Sequence, residues 1–213
     1  MKRIFIILTV SLIATMSMFS QDLQDIKLNE PNKSRGATFM KALSDRQSIR
    51  EYDTRDLSLQ DLSDLLWAAN GVNRTDGKRT APSAMDRREI DVYVLNKDGA
   101  YLYDAPNHIL KGVTAGDFRK AVAVSQDFAA TAPVCIVLVA NLEKLGDPTS
   151  ENTRLTAATD GGIVNQNINI FCAAVGLATV PRGTMDKAAL KNALKLSDTQ
   201  SLILNNPVGY PKQ

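Results

Sequence analysis

The stretch Gly161-Gly162-Ile163-Val164-Asn165-Gln166-Asn167-Ile168-Asn169-Ile170-Phe171-Cys172-Ala173-Ala174-Val175 closes a predicted helix that begins at Glu151. From Gly161 onward, apolar side chains fall on nearly every side of that helix. One hydrophobic stripe facing one core does not account for the pattern, so the helix must be covered all round, by the domain core or by a second subunit. The paired glycines permit close backbone approach, while Gln166 and Asn167 are costly to bury unless hydrogen-bonded.

Working outward, Val134 to Val139 is a continuous apolar, β-branched run, the pattern of a central buried strand. Before it, Ile90 to Leu95 alternates, residues 96–99 form a turn, and residues 100–103 return as a hairpin partner. Residues 108–113 add a third short strand, and residues 115–130 read as helix. After the long helix, Leu177 to Val180 is a strand, Asp186 caps a helix to Leu194, and Gln200 to Val208 supplies a last strand. Toward the N-terminus, residues 34–43 read as helix and residues 46–52 as an extended or turning segment. Ser58 is an N-cap for a helix carrying Leu62, Leu65, Leu66 and Ala69 up to Asn70-Gly71. Residues 72–88 are polar and irregular, and a loop of that length in a compact domain is more often functional or mobile than accidental. Helices and strands mix without regular βαβ alternation, which gives an α+β class, one domain and no internal repeat.

The chain has 213 residues. Residues 1–20 read as a secretory signal peptide: Met1-Lys2-Arg3 is basic, Ile4 to Phe19 is apolar and uncharged, and cleavage is expected after Ser20. An uncleaved anchor is the alternative. Removing the leader takes two of the 25 basic residues and none of the 23 acidic ones, so residues 21–213 carry no formal net charge. A neutral chain offers no broad electrostatic footprint for DNA or RNA. No later apolar run reaches membrane-spanning length, so no stable insertion is expected once the leader is gone. Cys135 and Cys172 both lie in apolar stretches, where burial as small hydrophobes is favoured over a bridge. The single His108, expected on a surface loop, leaves no metal-ligand spacing and no ordinary Ser-His-Asp triad.

Three stretches hold residues suited to chemistry. In Arg46-Gln47-Ser48-Ile49-Arg50, alternate side chains of an extended segment point the same way, so two guanidiniums and a hydroxyl can grip a phosphate. The bland alternative is a solvated arginine pair balanced by Asp45, Glu51 and Asp53. In Thr179-Val180-Pro181-Arg182-Gly183-Thr184, a tight turn after a strand can aim backbone N–H groups at a ligand, or it can simply connect a strand to a helix. The third stretch is Asp160 to Asn167. No GxGxxG fingerprint is present.

Taken in order, these pieces resemble the nitroreductase family of flavoproteins. The match starts at Arg46-x-Ser48-x-Arg50-x-Tyr52 and passes through LLWAANGVNR (65–74) and RTAPSA (79–84). It continues through Gly161-Gly162-x-x-x-Gln166-Asn167 and Gly176-Leu177-x-Thr179-Val180-Pro181, and it ends at Pro207-Val208-Gly209-Tyr210. LLWAANGVNR and RTAPSA look most like the branch holding SagB-type azoline dehydrogenases. That branch, however, usually continues with an apolar, tyrosine-containing stretch where this chain has Met85-Asp86-Arg87-Arg88-Glu89.

The resemblance implies an α+β fold with a central mixed sheet flanked by helices, forming an intertwined homodimer with FMN at its interface. By the same carry-over, Arg46, Gln47, Ser48 and Arg50 would bind FMN, with Arg46 on the phosphate and Arg50 near the pyrimidine edge. Pro82, Ser83 and Ala84 would approach from the other subunit, and Gln166 would join the cofactor site. Pro181, Arg182, Gly183 and Thr184 would form the loop over the ring, with a backbone N–H near Gly183 at flavin N5 and with Arg182 free to vary. Lys212 would pair with the phosphate. The implied activity passes hydride from a reduced donor, NAD(P)H among the candidates, through FMN to a nitro, quinone or similar small acceptor by ping-pong turnover. The alternatives are a SagB-like dehydrogenase of a small heterocycle or peptide azoline, and a flavin-binding protein without turnover. The leader predicts an exported, periplasmic protein, whereas nicotinamide dinucleotides are cytoplasmic.

Overall fold

The computed structural model describes residues 23–212, and the expected leader, residues 1–20, lies outside them. The chain runs through β1 (Ile26–Lys27), α1 (Phe39–Asp45), α2 (Leu59–Asn70), β2 (Ile90–Leu95), β3 (Gly99–Asp104) and β4 (Ile109–Ala115). It continues through α3 (Arg119–Ala123), α4 (Phe128–Thr131), β5 (Val134–Asn141), α5 (Glu151–Val175), β6 (Ala178–Thr179), α6 (Lys187–Ala193) and β7 (Gln200–Gly209). The seven strands form one sheet in the order β1-β4-β3-β2-β5-β7-β6.

Strand β5 shows why its sequence is apolar without interruption. Val134, Ile136, Leu138 and Ala140 pack toward Leu62, Leu65 and Leu66 of α2 and Val164, Ile168 and Cys172 of α5. Cys135, Val137 and Val139 point to the opposite face, against Val122 of α3 and Leu190 and Leu194. With helices on both faces no polar alternation survives, and the α+β class with a helix-flanked sheet holds. Every strand pairing among the described residues is antiparallel, so the expected mixed sheet is corrected. The physical reason is connectivity: β2, β3 and β4 are joined by short turns, which permit only antiparallel neighbours, and β7 returns antiparallel along β5.

Local signals set several boundaries. The Ser58 hydroxyl accepts from the Asp61 amide and starts α2, and the Asp186 carboxylate accepts from the Ala189 amide and starts α6. Gly176, left-handed at φ 76°, ends α5 in the manner glycine favours at a helix C-terminus. The Leu177 amide closes onto the Cys172 carbonyl at 2.8 Å. The helix expected over residues 34–43 instead begins at Phe39, because Gly36 is left-handed and the Thr38 hydroxyl caps at Lys41. The helix expected over residues 115–130 is two short helices, divided where Val124 turns left-handed at φ 55°.

Gly161 confirms close approach: a Cβ there would meet Ile203 of β7 at 3.0 Å, whereas one at Gly162 would meet nothing within 4 Å. The cysteines are buried and unbridged, on opposite faces of the sheet. His108 is half-buried rather than free on the surface, with one ring nitrogen 2.7 Å from the Tyr103 hydroxyl and the other 2.9 Å from the Asn29 carbonyl. Among the described residues, no helix is long and apolar enough to cross a membrane.

Candidate functional site

The segment after α1 is held at two points. The Ile49 amide donates to the Thr179 carbonyl at 3.0 Å, and Tyr52 bridges to Pro211. Ile49 and Tyr52 turn inward onto Phe128, Ala132 and Ala178, which leaves Arg46, Gln47, Ser48 and Arg50 exposed. Two carboxylates expected to neutralise the arginines are engaged elsewhere: Asp45 pairs with Lys41 and Asp53 with Arg55. Arg46, Arg50 and Lys212 therefore have no ion pair among the described residues. Arg50 and Lys212, remote in sequence, line one cleft of about 510 Å³ with Glu51, Tyr52, Asp53, Phe128 and Thr131. The Lys212 amide donates to the Glu51 carbonyl, so this segment and the residues after β7 meet through a backbone bond and not through charge.

Thr179 lies beside this segment and leads into Pro181, Arg182, Gly183 and Thr184, so these residues share its end of the sheet. Pro181, Gly183 and Thr184 are exposed, but Arg182 is buried at 6 % exposure. Its Nε donates to Gln126, one terminal nitrogen to the Val122 carbonyl and Asn205 Oδ1, and the other to the Ala123 carbonyl. Two of those acceptors are the last carbonyls of α3, groups that a helix end leaves without an intrahelical partner; the Ala123 carbonyl also accepts from the Gln126 amide at 3.0 Å. Arg182 thus caps α3 at the point where Val124 turns the chain away. Its amide and carbonyl also pair with Asn205, so the expectation of a variable, ligand-facing Arg182 is corrected. Gly183 differs. Its amide has no internal partner among the described residues, its φ is not positive, and an added Cβ would meet nothing within 4 Å.

Residues 82–88 make a strained turn. Met85, Asp86 and Arg88 are left-handed at φ 52°, 54° and 51°. Each such residue costs about 1 kcal/mol, because its Cβ crowds the following carbonyl. The Ser83 hydroxyl accepts from the Arg88 amide at 2.9 Å, and the Ala84 amide donates to Asp160 at 2.7 Å. Next to Asp160 lies Glu89, fully buried, with neither carboxylate oxygen accepting a hydrogen bond from the described residues. Burial, helped by the Asp160 carboxyl, pushes the Glu89 carboxyl up to about 7. Pro82, Ser83 and Ala84 do not line the Arg50–Lys212 cleft; Pro82 and Ser83 border a small cavity with Asn70 and Arg79.

Gln166 is exposed in a third place. It lines an open groove of about 560 Å³ with Phe39, Leu43, Trp67, Ile170 and Phe171. Phe39 and Met40 of α1 are 66 % and 72 % exposed, and Ile170 and Phe171 of α5, lining the same groove, are only half-buried, so that side of α5 is not fully covered by its own chain. Between α5 and strands β6 and β7 sits a network the sequence reading missed. Asn165 donates to Asn206, Asn169 to Asn165, and Asn206 to both Asn169 and Thr179, all of them buried. The repeated asparagines at 165, 167 and 169 were the available signal.

Residues 43–210 match the nitroreductase family. The chain belongs to that family. A solved structure of a nitroreductase from Ralstonia eutropha shares 36 % identity and a TM-score of 0.84 with this family member, covering 91 % of this chain and 92 % of the other. A protein of Methanocaldococcus jannaschii bearing a nitroreductase name is 28 % identical over 204 residues, which is 92 % of this chain and 96 % of that protein. An FMN-dependent nitroreductase from Clostridium difficile, 19 % identical, shares the fold at a TM-score of 0.57, covering 82 % of this chain and 88 % of the other.

Proposed function

We propose that this nitroreductase-family oxidoreductase is FMN-dependent and uses Arg46, Gln47, Ser48, Arg50, Gly183 and Lys212 to hold the cofactor. One observation carries the reading: Arg46, Arg50 and Lys212 form no ion pair among the described residues, and two of the three neighbouring acids, Asp45 and Asp53, are engaged elsewhere, leaving only Glu51 at the Arg50–Lys212 cleft. Unpaired guanidiniums suit a phosphate, which they bind through charge-assisted, often bidentate bonds. The unpartnered Gly183 amide with open space above it suits a flat ring laid close to the backbone. When bound, FMN supplies hydride acceptance and return.

The chain positions the groups around that chemistry. Arg46 and Lys212 would hold the phosphate, and Arg50 would supply positive charge that favours the reduced, anionic cofactor. Arg182, by capping α3 and gripping Asn205, fixes the loop that presents the Gly183 amide. A reduced donor, with NAD(P)H a candidate, and then a nitro, quinone or similar small acceptor would occupy one site in turn, the expected basis for ping-pong kinetics. The apolar groove beside Gln166 supports a homodimer in which a second copy covers α1 and α5 and brings Pro82, Ser83 and Ala84 to the partner's cofactor. LLWAANGVNR and RTAPSA support the SagB-type branch, with oxidation of a small heterocycle as the second reading. The basic start and apolar run of residues 1–20 support export to the periplasm, where the donor would be something other than cytoplasmic NAD(P)H.

The deciding experiment is the visible spectrum of purified, dialysed protein, followed by assays with NADH, NADPH and a nitroaromatic. Flavin bands that survive dialysis, together with turnover, are expected. Colourless protein that takes up no added FMN would sink the reading, and retained flavin without turnover would reduce the protein to a carrier.

A further inference from the structure

A further cavity, of about 300 Å³, lies outside the proposed cofactor cleft, and its walls carry Arg79, Arg87, Arg88 and Lys144. The one carboxylate among its lining residues is Asp91, whose charged form is disfavoured by burial. Arg88 is neutralised by Asp86 at 2.6 Å, but Arg79, Arg87 and Lys144 have no ion pair among the described residues. The Arg79 Nε is buried with no hydrogen-bond partner, although a terminal nitrogen of the same group donates to the Asn70 carbonyl at 3.0 Å. An unsatisfied buried guanidinium N–H costs stability unless an acceptor arrives to meet it. Lys144 reaches the same place from the far end of β5 and donates to the Arg88 carbonyl at 3.1 Å. The strained turn at residues 85–88 delivers Arg87 and Arg88, which stand where the family resemblance led one to expect apolar residues.

We propose that this cavity is a binding site for a small oxyanion, a phosphate or phosphate monoester. Three unpaired cations suit a dianion better than a single carboxylate, and the guanidinium fork matches phosphate oxygens through paired N–H donors. The site adjoins the turn carrying Pro82 and Ser83, because Asn70, Arg79 and Arg88 border both that turn's small cavity and this one. Its ligand therefore also braces the strained turn.

The test is a thermal-shift titration of the full protein with inorganic phosphate, against potassium chloride at equal ionic strength. A second arm uses glycerol 3-phosphate to distinguish free phosphate from an ester. Wild-type protein and Arg46→Ala should both gain several degrees with phosphate and not with chloride. The exposed pair Arg87→Gln/Lys144→Gln should fold normally and bind phosphate at least about tenfold more weakly, as loss of two charge-assisted contacts requires. A shift that persists in the double variant, that vanishes in Arg46→Ala, or that chloride reproduces would overturn the proposal. If the double variant fails to fold, Arg87→Gln alone, at an exposed position, carries the same comparison.

Discussion

Arg182 and Arg46 are the same side chain put to opposite uses. Arg182 gives four of its five N–H donors to acceptors inside the fold, stacks near Phe128 with its charge 5.5 Å from the ring centroid, and caps a helix. Arg46 stands exposed and makes no hydrogen bond or ion pair through its side chain among the described residues. A buried cation with satisfied donors belongs to the architecture. An exposed cation whose nearby acids are already committed is available to a ligand. Sequence pattern marks both as candidates, and only the partners separate them.

The largest expected effect tests the first half of that contrast. Arg182→Ala strands the Val122 carbonyl and Asn205 Oδ1, while the Ala123 carbonyl keeps the Gln126 amide, and it should cost about 2–3 kcal/mol in urea unfolding. Arg182→Lys should restore little, because an ammonium cannot reproduce the fork. If Arg182→Ala unfolds like wild type and only loses flavin, the contrast is broken. Next, Arg46→Ala should leave unfolding unchanged and weaken FMN binding by roughly 1.5–3 kcal/mol, one to two decades in Kd by fluorescence titration. Lost stability with unchanged Kd would make Arg46 another architectural arginine.

Glu89 sharpens the comparison from the other side, as a buried ionisable group with none of its acceptors met. Its carboxyl is raised from 4.5 to about 7 by burial, with Asp160 adding to it. Between those values the folded state keeps the proton and the unfolded state releases it, so stability falls as pH rises across the window. Glu89→Gln should remove that dependence and stabilise the protein at pH 8 by on the order of 2 kcal/mol, read from unfolding curves at pH 5 and pH 8. Parallel curves for wild type and variant would show that the carboxyl is paired after all. The smallest effect belongs to Gly183→Val. With open space around its Cβ position, the flavin-free protein should melt within about a degree of wild type, while stopped-flow flavin reduction slows several-fold. Unchanged reduction kinetics would retire the loop's role.

Much of this was legible because the signals are local. The ends of α5, the span of β2 and the caps at Ser58 and Asp186 depend on residues within one turn of each other. β1 is two residues long and exists only by pairing with β4, so no periodicity announces it. The break at Val124 depends on Arg182, far along the chain, and the same long-range bonds hid the inward turn of Arg182. Of the candidate site, Arg46 to Arg50 could be read from spacing. That Asp45 and Asp53 are engaged elsewhere, and that Lys212 and Arg50 line one cleft, follows only from the folded chain.

The two cysteines have a practical consequence. Burial pushes the Cys135 thiol up to about 12 and raises Cys172 as well, and helices cover both faces of the sheet that separates them. Neither can form a thiolate or meet an oxidant while the fold is closed. Each is therefore a silent clock for opening: the rate at which a thiol reagent labels Cys135 or Cys172 reports how often its own side of the sheet comes apart, with no added dye or engineered probe.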